Sequence, residues 1–314
     1  METATFPGGI RRVTLPFPSG VGHVHAYLVP GDDGWMVVDT GLGLPDARER
    51  WATELAAIEG PVARVFITHF HPDHCGAAED VAELTGAPIL QGALDAEQCR
   101  RVWGTDGWEA VVADWFHRHG APDAVTRELV EQGSSWKPFI RWPRDPILVE
   151  PGADVAGWTT VAAPGHADGQ LMLLRDGILL AADHLLSPIT PTVGLWPASR
   201  PDPLADYLAA LASIEELEPV LALSGHGEVI TDPVGRARAI AAHHAERLEE
   251  ISALLSPEEP RSAYTVSLSL WGRELKPAQR RFAIAEALSH LERLVALGGA
   301  QRVETTGTVA YTPV

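Results

Sequence analysis

The stretch that decides the fold is ITHFHPDHCG, residues 67–76, in which three histidines and an aspartate fall within six positions. The apolar run ARVFITHF that leads into it is typical of a buried strand, and PDHCGAAEDVAELTG predicts a helix. Pro72 suits the first turn of that helix, because proline has no N–H to satisfy there. The cluster therefore lies on a strand-to-helix turn, where α/β folds place their functional sites.

The spacing of the cluster indicates two adjacent metal ions. His69 and His71 are two positions apart, so on an extended strand they point to the same side. Asp73 and His74 follow across the turn and can face a neighbouring position. Imidazole and carboxylate ligands suit zinc, with iron or manganese as alternatives.

Three further strand ends supply the missing ligands. APGHADG contains His166, LLAADHLL contains Asp183, and LSGHGE contains His226. Each ion would keep room for water, as a catalytic site requires. The ligand set compatible with these motifs comprises two triads and a bridge: His69, His71 and His166; Asp73, His74 and His226; and Asp183 between them.

The chain divides at the linker SPEEPR. Residues 1–255 read as strands and helices of one catalytic domain, with an aromatic-rich helical insertion at about 92–145 that is either a packing layer or a lid. Residues 256–314 have the outline of a small winged-helix-like module, two helices and a β-hairpin. Seven basic and six acidic residues from Glu258 onward do not make a phosphate-binding surface. We expect this module to pack, dimerise or complete a pocket.

The bulk composition limits the classes of partner. A net charge of −18 repels phosphate backbones and anionic membranes, so nucleic acid is disfavoured and a small-molecule substrate is favoured. The sequence has neither a membrane-spanning apolar segment nor a signal-peptide core. Its two cysteines, Cys75 and Cys99, are too few for a disulfide framework. The expected location is the cytoplasm, and a homodimer is left open.

The ordered motifs VVDTG, THFHPDH, APGHADG, AADH and SGHG resemble those of the metallo-β-lactamase superfamily over roughly residues 15–250. The resemblance implies an α/β fold, the αββα sandwich, with a dinuclear site at one edge between two sheets. It also implies that Asp39, in VVDTG, holds the ligand loop without binding metal.

Asp183 narrows the resemblance within the superfamily. Zinc β-lactamases generally lack this bridging carboxylate, whereas hydroxyacylglutathione hydrolases (glyoxalase II), acyl-homoserine lactonases and RNA-processing members carry it. The resemblance to that branch implies a hydrolase with two divalent metal ions per chain that cleaves an ester, thioester or lactone bond. A metal-bridging hydroxide would attack the carbonyl carbon, and Asp73 would be the catalytic proton acceptor.

Two alternatives remain open. A metal-dependent phosphodiesterase or endoribonuclease would use the same ligands but conflicts with the acidic charge. A non-enzymatic winged-helix regulator with a metal-sensing domain would not need a complete ligand set.

Five histidines outside the proposed ligand set are assigned structural roles. His184 is expected to point away from the site, because neighbouring strand residues face opposite sides. The pairs His23 and His25, and His117 and His119, have ligand-like spacing but lack the strand-to-helix context. We expect ordinary core or surface side chains at these positions.

Overall fold

The computed structural model describes residues 4–18, 20–305 and 307–314. Within these ranges the strands form three sheets. The first sheet has its strands in chain order: β1 (Ala4–Thr5), β2 (Arg11–Pro16), β3 (His23–Gly31), β4 (Gly34–Val38), β5 (Val62–Ile67), β6 (Ile89–Gly92) and β7 (Ile147–Val149). The second runs β12-β11-β10-β9-β8 and contains β8 (Asp154–Val155), β9 (Trp158–Ala162), β10 (Leu171–Arg175), β11 (Ile178–Ala182) and β12 (Leu221–Ser224). The third runs β13-β15-β14 and contains β13 (Arg261–Ser262), β14 (Ala300–Thr305) and β15 (Thr308–Pro313).

Some α-helices cover the outer faces of the two large sheets, and others form the insertion and the C-terminal module. In chain order they are α1 (Ala47–Ala56), α2 (Pro72–Cys75), α3 (Ala78–Thr85), α4 (Ala93–Gly104), α5 (Trp108–Arg118), α6 (Asp123–Ser134), α7 (Pro203–Leu217), α8 (Pro233–Leu254), α9 (Ala263–Trp271) and α10 (Pro277–Ala296). None of the helices in the described ranges is long and apolar enough to cross a membrane.

Side chains alternate between the two faces of the first sheet, and each face packs in a different core. In β3, Val24, Ala26 and Leu28 belong to the core that includes residues of α1 and α3. Tyr27 and Val29, on the opposite face, pack against the second sheet. The first sheet is therefore covered by helices on one side and by the other sheet on its second side.

The second sheet also packs against the first sheet on one face and against helices on the other. Leu171 and Leu173 of β10 face the first sheet, whereas Met172 packs with Tyr207 of α7 and Ile240 of α8. The layers are helix, sheet, sheet and helix. The predicted αββα sandwich is confirmed.

The loops that carry the predicted ligands leave both sheets at one edge. Strands β4, β5 and β6 are parallel, and so are β11 and β12, so their carboxyl ends lie together within each sheet. Tyr27 joins the sheets near this edge, where its hydroxyl donates to the carbonyl of Ser224 over 2.6 Å. Polar side chains that follow β4, β5, β11 and β12 are thereby brought to one place.

The insertion and the C-terminal module share a core. Trp115 and Phe116 of α5 and Leu129 of α6 pack with Leu288 of α10 and Tyr311 of β15. Residues 256–314 contain α9, α10 and the hairpin of β14 and β15, with β13 as an additional third strand. The winged-helix character of the module and the boundary at residue 255 stay predictions.

Local detail departs from the sequence interpretation at the ligand turn. The predicted single helix after the turn is wrong: α2 ends at Cys75 and α3 begins at Ala78. The N–H of Ala77 instead donates to the carbonyl of Gly41 over 2.9 Å, and a Cβ at Gly76 would lie only 3.0 Å from the Cα of Leu42. The helix breaks at Gly76 because the loop that contains Gly41 and Leu42 packs against it. The sequence interpretation also missed the short strands β1, β2, β6, β8 and β13.

Candidate metal centre

Asp39 follows β4 and hydrogen-bonds to the residues after β5 that carry the first ligands. Its Oδ1 accepts the N–H of Thr68 over 2.8 Å, and its Oδ2 accepts the Thr68 hydroxyl over 2.8 Å. The same Oδ2 lies 2.8 Å from Nδ1 of His74. Asp39 is buried and has φ of 60°, a left-handed conformation that is unfavourable for residues other than glycine. Strain of this kind is tolerated where several hydrogen bonds fix the backbone.

The first group of ligand atoms comes from the loops after β5 and β9. Nδ1 of His71 lies 3.0 Å from Nε2 of His69 and 2.9 Å from Nε2 of His166. His69 is fully buried, and the other two are partly buried. These three nitrogens lie close enough together to hold one cation.

The second group comes from α2 and the loop after β12. Oδ2 of Asp73 lies 3.1 Å from Nε2 of His226 and 3.8 Å from Nε2 of His74. All three side chains are buried. Their arrangement can hold a second cation.

Asp183 lies between the two groups. Its Oδ1 is 3.4 Å from Nε2 of His74, and its Oδ2 is 3.5 Å from Nε2 of His166 and 3.4 Å from Nε2 of His226. The preceding residue, Ala182, has φ of 45°, so the chain turns sharply where β11 ends. The structure thus brings all seven predicted ligands into one cluster, with Asp183 facing members of both triads.

The sequence profile of the metallo-beta-lactamase superfamily matches residues 19–226. The chain belongs to this superfamily. A second profile, described as the metallo-beta-lactamase-like C-terminal domain, matches residues 248–314. The protein is therefore a metallo-hydrolase of the metallo-β-lactamase superfamily with an additional C-terminal domain.

Individual relatives agree with this assignment. A metallo-beta-lactamase family protein of Thermus thermophilus is 32% identical, with a TM-score of 0.86 over 98% of this chain and 99% of its own. A probable metallo-hydrolase of Bacillus subtilis is 26% identical over 90% of this chain and 91% of its own length. An atrochrysone carboxyl ACP thioesterase of Cryptosporiopsis is 23% identical over 72% of this chain and 56% of its own length.

The donor set of this superfamily member fits divalent cations. Nδ1 of His166 and Nδ1 of His226 each donate to a backbone carbonyl outside the cluster, over 2.8 and 2.6 Å. Their Nε2 atoms therefore present lone pairs inward. Nε2 of His74 and Oδ1 of Asp183 are buried in the cluster and have no hydrogen-bond partner in the described chain. Lone pairs that face one another in a buried site are stabilised by a cation between them.

The pKa shifts differ between the two groups of ligands. Burial lowers the pKa of His71 to about 3, so its ring is neutral and available as a ligand. At His226 burial also lowers the pKa, but the carboxylates of Asp183 and Asp73 outweigh it and raise the pKa to about 10. The second group therefore attracts protons or metal cations.

Two histidines that we expected to be ordinary side chains brace the loop after β12. The carbonyl of His23 accepts from Nδ1 of His226 over 2.6 Å, and Nε2 of His23 accepts from the N–H of Gly227 over 3.2 Å. His25, which is buried, lies with its Nε2 3.1 Å from the carbonyl of Gly227. They hold the loop that carries His226 and belong to neither triad. His184 is buried against Tyr207, outside the cluster.

A cavity of about 360 Å³ opens beside the cluster and reaches His71, Asp73, His166, Asp183 and His226. The insertion contributes both to this cavity and to the core, since Trp115 and Phe116 pack inside. The phenylalanine and tryptophan side chains of the cavity wall are Phe17, Phe70, Trp103, Trp108, Trp136, Trp196 and Phe282.

Proposed function

We propose that this protein hydrolyses an ester, thioester or lactone with two divalent metal ions. Zinc is the proposed metal. The first ion would be held by one triad and the second by the other, with Asp183 shared between them. The proposed ligands are His69, His71 and His166; Asp73, His74 and His226; and Asp183.

The observation that carries this proposal is the position of Asp183. Its two oxygens face histidines of both triads at 3.4–3.5 Å, so one carboxylate can serve two ions. A single ion would leave several of the inward lone pairs unsatisfied in a buried site. Seven ligands suit a site that keeps positions free for water and substrate.

Asp73 is the residue that we assign to proton transfer. Its carboxylate lines the cavity and lies 3.1 Å from Nε2 of His226. Burial raises its pKa, but the charges of His74 and His226 outweigh this effect and leave the pKa lowered. An ionised carboxylate that faces the cavity can accept the proton of an attacking water and pass it to the leaving group.

Two divalent ions, when bound, lower the pKa of water and polarise the carbonyl oxygen of the substrate. The chain itself orients the ligands and encloses the acyl group. Asp39 fixes the ring of His74, and backbone carbonyls fix the rings of His166 and His226. The aromatic wall excludes water from an apolar acyl group.

The similarity to an ACP thioesterase supports the thioester as a substrate class. Over 88 residues, 26% of this chain, there is also 33% identity to a hydroxyacylglutathione hydrolase of Hyphomonas neptunium. The chemistry supports the same class, because thiolates leave more readily than alkoxides or amines.

The test combines metal analysis of the purified protein with a substrate panel: a thioester, a homoserine lactone, an aryl ester, a β-lactam and single-stranded RNA. We expect about two zinc ions per chain and turnover of the thioester, ester or lactone. Iron or manganese in place of zinc would change the identity of the metal and leave the proposed reaction unchanged. Turnover of RNA only, or no turnover by fully metallated protein, would overturn the proposed function.

A further inference from the structure

One cation lines the cavity wall away from the ligand cluster. Arg281 of α10 is half-buried, and its guanidinium lies over the ring of Trp196, 5.6 Å from the centroid. On another side the guanidinium lies so close to Gly133 of α6 that a Cβ there would overlap Nη1. The side chain therefore extends from the C-terminal module into the wall formed by the insertion.

Arg281 has no anionic partner in the described part of the chain. Neither a hydrogen bond nor an ion pair joins its guanidinium to another described residue, and burial alone accounts for its lowered pKa. Two neighbouring arginines of the module are partnered: Arg280 donates to Ser267 over 3.0 Å, and Arg293 contacts Asp202 at 3.1 Å. With 42 acidic and 24 basic residues, the chain has a surplus of carboxylates for such pairs.

An unpaired guanidinium in an apolar wall is unfavourable unless the bound ligand supplies the counter-charge. A cation that leaves water without a partner loses hydration and gains no compensating contact. Burial lowers the pKa of Arg281 to about 10, so the group remains charged at neutral pH. Guanidinium binds a carboxylate through two parallel hydrogen bonds, and no described residue accepts a hydrogen bond from the guanidinium of Arg281.

We propose that Arg281 selects substrates whose acyl group ends in a carboxylate, with the apolar part of that group held by the aromatic wall. This inference rests on the proposed function for the reacting end of the substrate. Hydrolysis at the metal centre would break the bond from the carbonyl carbon to sulfur, add the hydroxyl of water to that carbon, and pass the proton to the leaving thiolate. The carboxylate at the far end is unchanged in the reaction.

The experiment uses matched pairs of substrates. N-Acetylcysteamine monothioesters of the linear dicarboxylic acids from succinic to sebacic acid are compared with the same thioesters in which the terminal carboxylate is a primary amide. We expect the acid to exceed the amide in kcat/KM by tenfold or more at one optimal length, since a hydrogen-bonded charge contributes about 1.5–3 kcal/mol. The thiol released is measured colorimetrically.

Three variants separate recognition from packing. Arg281→Met keeps the apolar stem and should reduce the acid-to-amide ratio to about one. Arg281→Lys keeps the charge and should retain part of the preference. Arg273→Met removes an exposed arginine outside the cavity wall and should leave the ratio unchanged. Thermal unfolding of each variant shows whether the module is intact.

A binding measurement keeps this inference separate from the proposed function. Tryptophan fluorescence of the cavity reports binding of suberamate, which has one carboxylate, and of suberamide, which has none. If no thioester is hydrolysed, the proposed function fails, yet suberamate should still bind more tightly than suberamide, and this difference should disappear in Arg281→Met. Equal binding of the two probes by the wild type, or a preference that survives in Arg281→Met, would make Arg281 a packing residue between Trp196 and Gly133.

Discussion

The substitution Asp183→Asn tests the shared carboxylate with almost no change of shape. The carboxylate is buried, and its oxygens lie 3.4–3.5 Å from three histidine nitrogens of the two triads. An amide keeps one oxygen acceptor but loses the negative charge. The variant should therefore keep the fold and lose metal affinity.

The magnitude follows from the charge that is removed. Two unit charges 4 Å apart attract each other by about 4 kcal/mol at an effective dielectric constant of 20. A divalent ion feels more than this, whereas solvent and the remaining ligands compensate for part of it. Because 1.4 kcal/mol is a factor of ten in affinity, we expect at least one ion to bind about a thousandfold more weakly.

The assay is metal content after dialysis against a buffered zinc solution, together with the rise of the unfolding temperature on adding zinc. Asp168→Asn is the matched control. Asp168 is a buried carboxylate of the same cavity, but it accepts hydrogen bonds from Gln98 at 2.7 Å and from the N–H of Arg200 at 2.9 Å. The control should retain the wild-type metal content. Two tightly held ions in Asp183→Asn would refute the shared role.

Further predictions follow from the surroundings of the cluster. Asp39→Asn should weaken metal binding by about 10- to 100-fold, since residues that orient ligands contribute that much, and a zinc titration measures it. Gly225→Ala should lower metal content in the same titration, because the added Cβ would overlap Oδ1 of Asp183; wild-type affinity in this variant would contradict the packing. Burial lowers the pKa of His244 to about 3 and that of His290 to about 4. Both stay neutral in the folded protein but protonate in the unfolded chain, so the free energy of unfolding should fall from about pH 6.5 towards pH 4, by up to about 1.4 kcal/mol per pH unit for each. Urea unfolding at pH 7 and pH 5 tests this, and equal midpoints would contradict it.

The ligand cluster could be predicted from the sequence because each member follows a recognisable strand. His69 and His71 stand at the end of an apolar run, and His166, Asp183 and His226 follow runs of the same kind. Parallel pairing brings together the ends of β4 and β5 and those of β11 and β12. Strand β9 runs in the same direction as β11, because both are antiparallel to β10. The local sequence pattern and the topology of the sheets therefore predict the same site.

The bracing of the cluster could not be predicted in this way. His23 and Gly227 are about 200 positions apart, and their contact depends on how the two sheets pack face to face. No short sequence motif indicates a contact between residues so far apart in the chain. The break at Gly76 has a similar origin, because the loop at Gly41 ends the helix and the helical pattern continues past it. Propensity was overridden by tertiary contact.

The structure places the ligands and the cavity wall on different parts of the chain. Loops of the two sheets hold the seven proposed ligands, whereas much of the aromatic wall comes from the insertion and from α10 of the C-terminal module. The insertion and the module share one hydrophobic core, and the wall meets the ligand loop where Trp103 donates to the carbonyl of Phe70 over 2.8 Å. Substitutions in that wall can therefore change which acyl group fits while the metal ligands stay in place. We therefore propose that the C-terminal module serves substrate selection, with Arg281 as the residue through which it does so.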